Sequence, residues 1–62
     1  MTAYIIIGHF DFEGDVILAV RFDRESAQAA YDRERETCHY DKYRLEAWNE
    51  NGPAAEPLRA HQ

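Results

Sequence analysis

This sequence has one cysteine, one lysine, two prolines, no apolar run of membrane length, and no catalytic or metal-binding motif. Each shortage excludes something. With Cys38 alone, no intrachain disulfide can form, so a packed core must carry the fold. That fits a reducing cytoplasm, and Cys38 reads as a small buried hydrophobe. The longest aliphatic runs are Ile5 to Ile7 and Val16 to Val20, far short of the roughly 20 residues a membrane-spanning helix requires. No basic residue precedes the first apolar run, so Met1-Thr2-Ala3-Tyr4 does not read as a signal peptide. The expectation is a protein of the cytoplasm. The single lysine against six arginines reads as coding bias. Cationic side chains are scarce, 7 Lys+Arg against 12 Asp+Glu, and the net charge is −5. That balance excludes the basic patch that direct nucleic-acid binding needs. At 62 residues the chain is one small domain, and such a domain buries only about 60% of its unfolded surface. A roomy, dry catalytic cleft is not expected.

The residues that carry chemistry are dispersed. His9, His39 and His61 are far apart, and Ser26, the only serine, falls in a first helical turn. Cys38 and His39 are adjacent, whereas catalytic dyads are assembled across a fold and oriented by a third group. One cysteine and scattered histidines make no zinc pattern. Asp11, Glu13 and Asp15 alternate around Gly14 but lack the twelve-residue calcium-loop pattern with its terminal glutamate. No enzyme, cofactor or metal is expected.

The chain does contain a small α+β pattern. Residues 3–9 read as a central strand, apolar on both sides, and residues 16–22 as a second. Phe10-Asp11-Phe12-Glu13-Gly14-Asp15 joins them as a hairpin, since Gly14 accepts positive φ. Pairing Phe10 with Asp15 and Ile5 with Val20 places Ala3, Ile5 and Ile7 beside Val16, Leu18, Val20 and Phe22 on one strongly apolar face. Asp23 is a good N-cap, and Arg24 to Thr37 is rich in helix formers. Ala27, Ala30, Tyr31 and Cys38 form a narrow apolar stripe on that helix. Residues 43–50 alternate as a third strand, and Asn51-Gly52-Pro53 ends it. The expected architecture is a three-stranded antiparallel sheet, β-β-α-β in order 2-1-3, with one helix on one face. Residues 1–52 form the domain, and 53–62 form a loosely ordered tail. The uncovered face is expected to carry Tyr4, Ile6, Ile17, Ala19 and Trp48, with Tyr4, Ile6, Ile17 and Trp48 as its contact residues. An exposed apolar face of this kind is a candidate for self-association, making the chain a monomer or weak homodimer.

Charge is unevenly distributed. Residues 1–20 carry −3 with no base, residues 21–40 carry −1, residues 41–56 carry −2, and the remainder +1. Helix charges offset one another at i, i+3 spacing, as in Asp32–Arg35 and Arg33–Glu36. The free acid concentrates in the hairpin, beside Phe12. An exposed aromatic supplies area to bury, and the acids supply steering toward a basic partner. Asp11, Phe12, Glu13 and Asp15 are the expected contact residues, with Glu46 and Glu50 contributing.

The run Tyr4-Ile5-Ile6-Ile7, then Gly14 to Val20, then Glu25-Ser26-Ala27, then Tyr40 to Trp48, resembles small β-β-α-β proteins of bacteriophage genomes over residues 3–50. In size and acidity the chain also resembles anti-CRISPR inhibitors. That resemblance implies an inhibitor at work in the cytoplasm of a bacterial host cell. It would occupy the basic channel of a CRISPR surveillance complex and block DNA access, in some members by DNA mimicry. Carboxylates two apart on extended chain are about 6.6 Å apart, close to two nucleotide rises of about 6.8 Å. The alternative expectation is an accessory phage protein that self-associates through the open sheet face and inhibits nothing.

Overall fold

A computed structural model describes residues 1–37 and 39–61. The elements are β1 (Ala3–Phe10), β2 (Gly14–Arg21), α1 (Arg24–Thr37), β3 (Lys42–Asn49), β4 (Gly52–Pro53) and β5 (Arg59–His61). They form a small α+β fold with one antiparallel sheet, ordered β2-β1-β3-β4, while β5 also pairs with β3. The expected 2-1-3 order is present. The expectation of three strands is corrected: the segment read as a loose tail supplies β5, which joins the outer edge of β3. Two backbone bonds help hold that segment, Ala54 N–H to the Ala47 carbonyl (2.8 Å) and Leu58 N–H to the Leu45 carbonyl (2.7 Å). No helix among the described residues is long and apolar enough to cross a membrane.

The helix starts where its cap dictates. The Ser26 amide donates to Asp23 Oδ2 at 2.8 Å, and the Ala27 amide to the Asp23 carbonyl at 2.9 Å. Ala27, Ala30 and Tyr31 are buried as expected. The fourth expected stripe residue, Cys38, lies outside the described residues.

The covered face is the reverse of the expected one. The core comprises Ile6, Ala27, Ala30, Tyr31, Tyr43 and Leu45, with Tyr4, Leu18, Ala19 and Tyr40 packed against it. Tyr4, Ile6 and Ala19, expected on the open face, therefore lie beneath the helix. The third strand decides this. Its Tyr43–Leu45–Ala47 side is free of charge, and the register sets those residues opposite Gly8, Ile6 and Tyr4. The other side carries Arg44 and Glu46, whose burial beneath α1 would strip two charges of water.

The hairpin register is half as expected. Ile5 does pair with Val20, but His9 pairs with Asp15 and Phe10 with Gly14. A bulge between Ile6 and Ile7 reconciles the two halves, since Ile6 faces Ala19, Ile7 faces Ile17 and Leu18 is left over. The bulge turns Leu18 toward the helix core and puts Ile17 on the open face. It sits on the edge strand, where a kink discourages pairing with another chain.

One glycine is required by packing. A Cβ on Gly8 would come within 2.7 Å of the Tyr40 ring. Tyr40 covers that bare stretch of β1, with its ring 4.4 Å from Phe10 and 5.9 Å from Tyr43.

Candidate functional site

The hairpin turn is built from Asp11, Phe12 and Glu13, closed by Gly14 at φ 82°. Positive φ is nearly free for glycine and lets β2 start directly opposite Phe10. The turn is anchored by a segment 30 residues away in sequence. The Asp41 amide donates to the His9 carbonyl (2.9 Å), and the Asp11 amide donates to Asp41 Oδ2 (3.0 Å). Phe10 is held by Tyr40, whereas Phe12 is fully exposed. Phe10, Phe12, Glu13 and Asp41 together line an open depression of 160 Å³.

Asp15 belongs to a different environment. It is opposite His9, and its Oδ1 accepts from His9 Nδ1 at 2.7 Å. Its Oδ2 accepts from Arg44 Nη2, also at 2.7 Å. Arg44 lies on β3 opposite Ile7, so its side chain must cross β1 to reach Asp15 on β2. That crossing accounts for the burial of Ile7 on a face without a helix. Arg44 Nε donates to Glu46 Oε2 (2.7 Å), and the Trp48 indole N–H donates to Glu46 Oε1 (3.0 Å). A chain of polar contacts thus runs His9–Asp15–Arg44–Glu46–Trp48 along the open face.

These bonds set the charges. Hydrogen bonds from Arg44 and then His9 lower the Asp15 pKa to about 2. Burial pushes Glu46 up, but hydrogen bonds from Arg44 and Trp48 outweigh it and leave the carboxyl below its ordinary value. The two carboxylates in turn raise the pKa of Arg44. Asp15 and Glu46 are therefore ionised and already matched to a cation of the same chain.

The six expected contact residues thus divide. Asp11, Phe12 and Glu13 stay together, exposed at the tip. Asp15 and Glu46 are drawn onto the open face by Arg44. Glu50 follows β3 at the end of the sheet remote from the tip, because the antiparallel register brings Lys42, at the other end of β3, next to His9. The phosphate-like spacing of about 6.6 Å requires extended chain. Asp11 and Glu13 lie in a turn, so it does not hold there. No local sequence pattern marks Asp41 as part of this site. Its signal was the β1–β3 pairing, which carries the start of β3 back to the hairpin.

Of the four residues expected on a self-association face, Ile17 and Trp48 are on the open face, 64% and 37% exposed. Tyr4 and Ile6 are not. Val20, opposite Ile5, takes their place, and Phe22 beyond the strand is also exposed.

Among the described residues, no group of three or more His, Cys, Asp or Glu side chains could hold a metal ion. Compared with known proteins, the chain matches no family model, no curated protein and no solved structure. Its functional reading therefore rests on surface chemistry.

Proposed function

We propose that this chain is a small acidic inhibitor that docks its hairpin tip on a basic, nucleic-acid-handling complex and blocks access of DNA. The resemblance to anti-CRISPR proteins makes a CRISPR surveillance complex the partner of choice. The observation that carries the reading is Phe12, fully exposed between two exposed acids and beside Asp41. Burying one such phenylalanine against a partner contributes about 1.5–3 kcal/mol. Asp11, Glu13 and Asp41 supply a field that attracts a Lys/Arg-lined channel and repels nucleic acid itself. Asp15 and Glu46, satisfied within the chain, serve to hold the hairpin in place. Inhibition then proceeds by steric occupation of the channel mouth, with charge complementarity in place of a copied phosphate spacing.

The test is a bacterium whose CRISPR system targets a phage. Expression of this chain should restore plaquing. Asp11→Lys/Glu13→Lys, with or without Phe12→Ala, should abolish the effect while the variants keep wild-type circular dichroism and melting. Undiminished protection by the tip variants would overturn the reading.

A second reading is self-association, favoured by the exposed Ile17, Val20 and Trp48. Light scattering over a concentration series separates the two. A monomer at every concentration removes self-association, and an Ile17→Lys-sensitive dimer supports it.

A further inference from the structure

The depression at the hairpin tip has two unlike walls. The fixed wall is Phe10 and Asp41. Phe10 rests on Tyr40 with ring centres 4.4 Å apart, and Tyr40 stands edge-on to Tyr43 at 5.9 Å. Asp41 is tied twice to the hairpin: its amide donates to the His9 carbonyl at 2.9 Å, and its Oδ2 accepts the Asp11 amide at 3.0 Å. The outer wall is Phe12 and Glu13, both exposed and both carried by the turn. Among the described residues neither Glu13 nor Asp41 is in an ion pair, and Lys42, next to Asp41 in the chain, is paired with neither.

We propose that this depression is a receptor for one arginine side chain of a protein partner, with the guanidinium laid against the phenylalanine rings and its N–H groups turned to Glu13 and Asp41. The inference rests on the docking role proposed for the tip and names what the tip grips. Two rings and two carboxylates around one space narrow the occupant. An apolar side chain would suit the rings but would strip water from two carboxylates and offer no donor in return. An anion would be repelled by both acids. A cation satisfies both halves of the lining, since the face of an aromatic ring is itself negative.

Of the two strongly basic side chains, arginine suits the space better. Its head is flat, weakly hydrated and carries N–H donors along its edge, so it can stack on a ring and still bond carboxylates in its own plane. The lysine ammonium is compact and strongly hydrated, and it gives up more water for the same contact. The volume of 160 Å³ takes one side-chain head. The fixed wall is in place before binding, so only Phe12 and Glu13 have to be ordered.

The test is NMR on the full chain with capped Gly-Arg-Gly, using capped Gly-Lys-Gly and the neutral Gly-citrulline-Gly as controls. The arginine peptide should shift the Phe12, Glu13 and Asp41 amides. Its own Cδ protons should move upfield, a ring-current mark of stacking that diffuse attraction to an acidic surface does not give. It should bind at least about threefold tighter than the lysine peptide, and the citrulline peptide should leave the tip unshifted. Phe12→Leu and Glu13→Gln should each weaken arginine binding about threefold. Glu50→Gln removes the same charge at the remote end of the sheet and should leave binding unchanged. Equal binding of the arginine peptide and either control, an absent upfield shift, or equal effects of Glu13→Gln and Glu50→Gln would overturn the receptor. The plaquing assay separates this outcome from failure of the inhibitor reading. Protection that is lost in the tip variants, without an arginine-specific shift, overturns the receptor alone. Arginine binding by a chain that gives no protection overturns the inhibitor reading alone.

Discussion

The two faces of this sheet are made from the same strands and use opposite means of closure. On the covered face, Ile6, Leu45 and Tyr43 meet two alanines and a tyrosine of α1, and the contact is buried. On the open face there is no helix among the described residues. Arg44 lies across β1 instead, shielding Ile7 and tying Asp15 to Glu46. Ile17 and Trp48 stay in contact with solvent. A charged side chain can serve as a lid where area is small, because its stem covers apolar surface while its head stays wet. The lesson is that acidic residues on such a face need not be free for a partner. The hairpin tip is beyond Arg44's reach: the Asp11 carboxylate meets only the His9 ring, at 3.7 Å, and Glu13 stays exposed beside Phe12.

The largest effect should break the covered face. Leu45→Ala should cost about 2–5 kcal/mol, against under about 1 kcal/mol for Ile17→Ala on the open face. Urea denaturation of the two variants checks the contrast, and equal costs would erase the distinction between the faces. Gly8→Ala should come next, at about 1–3 kcal/mol, because its Cβ collides with the Tyr40 ring. Thermal melting measures it, and a neutral result would show that Tyr40 is free to move aside.

The smallest effect concerns the ionic lid. The folded pKa of Asp15, about 2, is below its unfolded value of about 3.9. Its stabilising contribution is therefore present above about pH 4 and lost as pH falls toward 2. Asp15 is half exposed and screened by water, so the effect stays under about 1 kcal/mol. The melting-temperature gap between wild type and Asp15→Asn should narrow from pH 5 to pH 2.

Local features were legible in the sequence because their causes are local. Asp23 caps α1 through its own next few amides, Gly14 closes the turn beside it, and alternation marks β3. What escaped was set by distant partners. The reversed sheet face follows from the β1–β3 register, which aligns the uncharged side of β3 with Tyr4 and Ile6. The Leu18 bulge satisfies both a tight turn and that face. Asp15 looked like a free acid because Arg44 lies 29 residues from it, whereas the partners of Glu46, Arg44 and Trp48, stand two residues to either side on the same strand and were open to a local reading. Asp32, paired on paper with Arg35, reaches Arg59 instead.

The amino-acid order by itself determined a small acidic α+β chain with a hairpin, a capped helix and a third strand, since propensity, capping and period act over a few residues. Tertiary structure decided which face the helix covers, how the last residues extend the sheet, and which acids remain unmatched. Those outcomes depend on burying apolar area without stranding a charge, a condition met only when segments far apart in the chain come together.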